Sequence, residues 1–119
     1  MSAQPQAPVD LDYINDMLGD DRAFIREFFG TFLSDISTRL PKLEESMKFF
    51  DGRKVRDIAH SFAGSANCLG AEELRRRTLE LEEAALAGGV ETTRRAYREF
   101  QTELVRVEEF LKRHLEREQ

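Results

Sequence analysis

Tryptophan is absent from this chain of 119 residues, cysteine occurs once, histidine twice and proline three times. Each shortage removes a class of structure. The lone thiol, Cys68, forbids an internal disulfide and agrees with a reducing compartment. His60, His114 and Cys68 cannot assemble a nitrogen and sulfur ligand set, so no metal site and no cofactor are expected. A glycine-rich loop followed by Lys-Ser or Lys-Thr is missing, which excludes a phosphate-loop site for ATP. No apolar run approaches the ~18 residues that cross a bilayer. The segment Met1-Ser2-Ala3-Gln4-Pro5-Gln6 also lacks the charged, then apolar, order of an export signal. The expectation is a cytoplasmic protein without a membrane partner. Basic charge is in deficit too, with 18 Lys and Arg against 23 Asp and Glu for a net charge of −5. A nucleic acid backbone would be repelled. The one dense basic cluster, Arg75-Arg76-Arg77, splays around a helix axis and reads as solvated surface.

What is plentiful is helix-forming material. Of all residues 40% are hydrophobic and 34% charged, a globular composition in which Glu, Arg, Leu and Ala abound. Nine phenylalanines stand as the main filler of one modest core. Residues 1–9, with Pro5 and Pro8, read as a disordered lead, and residues 10–117 as a single domain. From Asp10 a short amphipathic helix presents Leu11, Ile14, Met17 and Leu18 and stops at Gly19. Asp20 or Asp21 then caps a long second helix. Its Phe29, Leu33, Ile36, Leu40, Leu43, Met47 and Phe50 fall 4, 3, 4, 3, 4 and 3 apart, widened by Ile25, Phe28 and Phe32. That is the seam of an antiparallel bundle. The period passes through Pro41, which predicts a kink rather than an end.

Asp51-Gly52 turns the chain into a helix over about residues 53–69, closed by Gly70 in the position of a left-handed cap. A fourth helix, about 72–87, holds Leu74, Thr78, Leu81 and Ala85 inward and ends at Gly88-Gly89. A fifth, about 91–116, carries Tyr97, Phe100, Leu104, Val107 and Leu111 on one face. The expected fold is all-α: an antiparallel up-down four-helix bundle with a short additional N-terminal helix lying across one end. Four long helices suffice to close a core, so a monomer is expected.

In the third long segment Val55, Ile58, Ala59, Phe62, Ala66 and Leu69 form the apolar stripe, and His60 points away from it. Its own face carries Arg56 and Asp57 one turn back, Ala63 and Gly64 one turn on, and Asn67 two turns on. Nothing bulky on that helix covers the imidazole downstream. Gly64 costs a helix roughly 1 kcal/mol relative to alanine. Either room beside an exposed imidazole or a close helix crossing could favour it. Cys68 reads as rotated toward the core, a buried inert thiol, and His114 as a solvated surface histidine without a role. Hydrolase chemistry fits poorly, because Ser61 and Ser65 are not at the spacing that brings a serine beside His60. What remains is His60 as a nucleophile toward an activated phosphoryl group. An exposed imidazole is mostly neutral, and therefore nucleophilic, a little above pH 7. The phosphoramidate formed adds up to about two negative charges and favours nearby donors or cations. Arg56 is the best local candidate, with Ser61 and Ser65 weaker ones.

The stretch Ala59-His60-Ser61-Phe62-Ala63-Gly64-Ser65-Ala66-Asn67-Cys68-Leu69-Gly70-Ala71, followed by Leu74 and by Leu79-Glu80-Leu81-Glu82, resembles the histidine-containing phosphotransfer (HPt) domain of two-component relays. Phe28, Phe32, Leu33 and the Asp51 turn extend the likeness over nearly the whole chain. The resemblance implies that His60 accepts a phosphoryl group from the aspartate of a receiver domain and passes it to another. It implies a carrier without catalytic apparatus, magnesium being supplied on the receiver. The phosphoryl group would have Arg56, Ala63, Gly64 and Ser65 as neighbours, and Arg56, Asp57, Ala63, Gly64 and Asn67 would form the partner surface. Partners would be response-regulator receivers, with a hybrid histidine kinase as a further one. Many members carry a lysine where this chain has Ala63, and that lysine would help neutralise the phosphoryl group. Two other readings stand beside this one: an interaction bundle that binds a receiver without being phosphorylated, and the phosphoacceptor module of a larger kinase. Met1 and the charged tail Glu116-Arg117-Glu118-Gln119 fit a free-standing small protein.

Overall fold

The computed structural model describes residues 7–117. Five helices occupy them: α1 (Leu11–Leu18), α2 (Arg22–Lys48), α3 (Gly52–Cys68), α4 (Glu72–Ala87) and α5 (Val90–Arg117). No strand occurs among the described residues. The elements follow the expected order, and α2 runs unbroken through Pro41.

Local chemistry sets the boundaries. Asp10, Asp21 and Asp51 each accept a hydrogen bond from the backbone N–H three residues on, at 3.0, 3.1 and 3.2 Å, and so satisfy a donor that the first turn leaves free. Gly70, just past α3, has φ +62, and a Cβ there would lie 2.9 Å from Asp10 Cβ and 3.0 Å from the Tyr13 ring. Only glycine fits both that backbone and that approach. The segment around Asp10 and Tyr13 is thereby seated at the end of the bundle where α3 turns into α4.

α3 packs on α4 and α4 on α5, while α2 lies against both α3 and α5 and closes the ring. α2 and α5, at 27 and 28 residues, outrun α3 and α4, at 17 and 16. Their surplus turns pair with each other: Arg26 Nη1 donates to the Leu115 carbonyl at 2.8 Å, and the Phe29 ring meets His114 edge-on at 5.3 Å. α1 packs on α2. At the centre Phe62 and Phe100 meet edge to face at 5.3 Å, with Leu43, Leu74, Leu81 and Leu104 buried around them.

Several expectations require correction. Val9, placed in the lead, is 1% exposed and belongs to the core, because the turn before α1 folds it inward; residues 1–6 of that lead lie outside the described residues. Met17 is 45% exposed, since an eight-residue helix buries little beyond Ile14. Phenylalanine fills the core only in part: Phe29, Phe32, Phe62 and Phe100 are buried, while Phe24 and Phe49 are exposed. His114 is half-buried against Phe29 rather than solvated, because the long α2 reaches the last turns of α5. Among the described residues no helix is long and apolar enough to cross a membrane.

Candidate functional site

The α3 stripe falls as its spacing requires. Val55, Ala59, Phe62, Ala66 and Leu69 are buried, and His60 emerges on the other side with 76% of its side chain exposed. The ring is not free to turn at will, for Nδ1 lies 3.0 Å from Oε1 of Glu82 on α4. A carboxylate oxygen can only accept, so the neutral tautomer that satisfies this contact is the one with its hydrogen on Nδ1 and its lone pair on Nε2. Glu82 itself is largely sheltered, 22% exposed, and its second oxygen, Oε2, is buried without a hydrogen-bond partner.

Gly64 is settled by its surroundings. A Cβ added there would meet nothing within 4 Å, so no neighbouring helix crosses close and the residue leaves open surface one turn beyond the imidazole. Asn67 and Asp57 are exposed on the same side. Arg56, half-buried, donates from Nε and Nη2 to Asp57 Oδ1 at 3.2 and 2.9 Å. Its charge is thus drawn sideways along the surface rather than toward His60.

Other expected neighbours fall elsewhere. Ala63 is only 8% exposed, not a surface residue; it follows Ala59 by four and precedes Ala66 by three, which aligns it with the apolar stripe. Ser65 is not brought to His60, because five residues of helix rotate it about 140° round the axis. Its Oγ donates back to the Ser61 carbonyl at 3.4 Å, and Ser61 Oγ donates to the Ile58 carbonyl at 2.7 Å. Both hydroxyls serve their own helix. Cys68 is exposed rather than buried, since it follows the exposed Gly64 by four residues and departs from the stripe. Among the described residues no group of three or more His, Cys, Asp or Glu could hold a metal ion.

Glu82 is the site residue that the sequence did not single out. It was visible inside Leu79-Glu80-Leu81-Glu82, but with no partner to give it meaning. One signal existed: α3 and α4 form an antiparallel hairpin about Gly70, and His60 and Glu82 stand ten residues before and twelve after that glycine, nearly level.

The site is an imidazole exposed on the flank of a helical bundle, with open space at the glycine one turn on, a place that another macromolecule can reach. The chain belongs to the Hpt domain family, whose model matches residues 27–110. In structure it is similar to histidine-containing phosphotransfer protein B (HptB) from Pseudomonas aeruginosa PAO1, with a TM-score of 0.85 and 24% identity over 95% of this chain and 98% of that one. Comparison with curated proteins finds no match. Histidine phosphotransfer in a phosphorelay is therefore the role of this domain, and receiver domains of response regulators are the partners with which such domains work.

Proposed function

We propose that His60 is the phosphoacceptor and that the surface around it is where receivers dock. The observation that carries this reading is the pairing of Nδ1 with Glu82 on an imidazole that is otherwise exposed, which leaves the Nε2 lone pair as the reactive position. Nε2 attacks the phosphorus of a receiver's aspartyl phosphate. The N–P bond forms as the P–O bond to the aspartate breaks, and the carboxylate leaves with the electron pair. The reverse step, onto a second receiver, completes the relay.

Gly64, Asp57, Asn67 and Arg56 form the ground on which the visiting domain rests, and the missing side chain at Gly64 lets it come close. The chain contributes the nucleophile and its orientation. It acts as a carrier with no ATP site, catalytic apparatus or cofactor of its own, and magnesium arrives on the receiver. A monomer in the cytoplasm, charged by receivers that include one fused to a hybrid histidine kinase, is the setting that fits these features.

The test is to incubate the chain with a receiver charged by a small phosphodonor and magnesium, then follow label by intact mass. Acid-labile, base-stable phosphate that disappears in His60→Gln is the expected result. Binding of receivers without any transfer would instead make the protein an interaction module.

A further inference from the structure

A phosphoryl group on His60 brings up to about two negative charges to a part of the surface that is already acidic. Residues 56–64 of α3 and 78–86 of α4, one turn either way from His60 and Glu82, hold a single cation, Arg56, against Asp57, Glu80, Glu82 and Glu83. That cation is engaged elsewhere. Its Nε and Nη2 both donate to Asp57 Oδ1, at 3.2 and 2.9 Å.

The position of this pair matters as much as its existence. At about 100° per residue, Arg56 stands about 40° to one side of His60 and Asp57 about 60° to the other, so the bond between them crosses the line of His60 on the helix. A helical side chain lies over the turn before it, which leans the imidazole toward the pair rather than toward Gly64. Residues four apart on a helix reach each other, so the guanidinium arm can turn from Asp57 to a group carried on the ring. The existing bond is easily given up. Both partners meet water, with side chains 39% and 60% exposed, and an ion pair of that exposure is weak. A phosphoryl group offers three oxygens and up to twice the charge of one carboxylate, a better match for the fork of an arginine.

We propose that Arg56 changes partner with each transfer, held by Asp57 while His60 is bare and by the phosphoryl group while His60 is charged. Asp57 is then a positioning residue that competes for the one cation of the site and so shortens the life of the phosphorylated form. This rests on the reading of His60 as phosphoacceptor.

The experiment compares the full chain with Asp57→Asn, Arg56→Gln, the two combined, and His60→Gln. Each is charged from a phosphorylated receiver that is then removed, so that docking does not enter the decay followed by intact mass. The 15N–1H NMR signal of the Arg56 Nε–H, recorded before and after charging, reports its partner. In the wild-type chain that signal should move on charging, which a merely structural ion pair would not do. Asp57→Asn should lengthen the half-life about threefold and Arg56→Gln should shorten it by a similar factor. The gain from Asp57→Asn should largely vanish when Arg56→Gln is also present, because the two act through one interaction. An Arg56 signal that stays in place, or a gain that persists in full without the guanidinium, overturns this inference and leaves the phosphoacceptor reading standing. Label that survives in His60→Gln overturns both.

Discussion

At the scale of single residues, the site is made as much by what is missing as by what is present. Gly64 faces open space inside a helix, so Gly64→Ala should raise stability by roughly 0.5–1 kcal/mol in urea denaturation. Gly64→Trp should fold equally well yet slow receiver-dependent labelling about tenfold or more, because the indole would occupy the approach to His60. Equal labelling rates would place the docking contact elsewhere. Ala63→Lys should lengthen the lifetime of the phosphorylated form by adding a cation one turn from the imidazole, with the lysine stem lying along the buried position of the methyl. An unchanged lifetime would mean that Arg56 or the receiver already supplies the charge. Tyr97 offers a test unconnected with transfer. Its hydroxyl is buried without a partner, and burial first, then the nearby Glu44 carboxylate, push its pKa up from 10.0 to about 12. Below pH 10 the phenol is neutral in both folded and unfolded chains. Between pH 10 and about 12 the unfolded chain ionises first, so stability falls as pH rises through that window. Tyr97→Phe should flatten that fall in denaturation curves recorded across it.

At the scale of helices, the boundaries were largely legible and the facings only partly so. Caps are local devices: an aspartate three residues before a free N–H, or a glycine where φ turns positive, acts through its immediate neighbours. Asp10, Asp51, Gly19, Gly70 and Gly88 could therefore be read from the chain as helix boundaries, while the cap of α2 was narrowed to Asp20 or Asp21, of which Asp21 serves. Asp51→Ala should cost about 1 kcal/mol by removing the cap that starts the His60 helix. Gly70→Ala should cost more, about 2 kcal/mol or above in urea denaturation, since it adds left-handed strain to contact with Asp10 and Tyr13. His60 was legible for the same local reason, standing opposite an apolar stripe on its own helix. Glu82, the exposure of Cys68 and the half-burial of Ser65 were less so. Glu82 matters only through α3–α4 packing, which periodicity along one helix does not report. Cys68 and Ser65 lie at the margins of the stripe, where a rotation of one residue's step decides between core and solvent.

At the scale of the whole molecule, unequal helix lengths give the bundle two regions. One is the four-helix ring that carries His60. The other is the extension where the first turns of α2 meet the last turns of α5 under α1. The family model stops at residue 110, yet Leu111 is fully buried and Arg26 and Phe29 hold the backbone of Leu115 and the ring of His114. Removing residues 113–119 should therefore lower stability by about 2 kcal/mol, the sum of a half-buried leucine, a charged hydrogen bond and a ring contact. Thermal unfolding of the shortened chain would check it, with the His60 environment expected to stay native.

The chain exposes one imidazole on one flank of α3. If both receivers must reach the same Nε2, the one that delivers and the one that collects cannot be seated together. They queue. Throughput should then peak at balanced amounts of the two and fall when either is in large excess, because the surplus receiver idles on the flank and holds up the traffic it exists to serve.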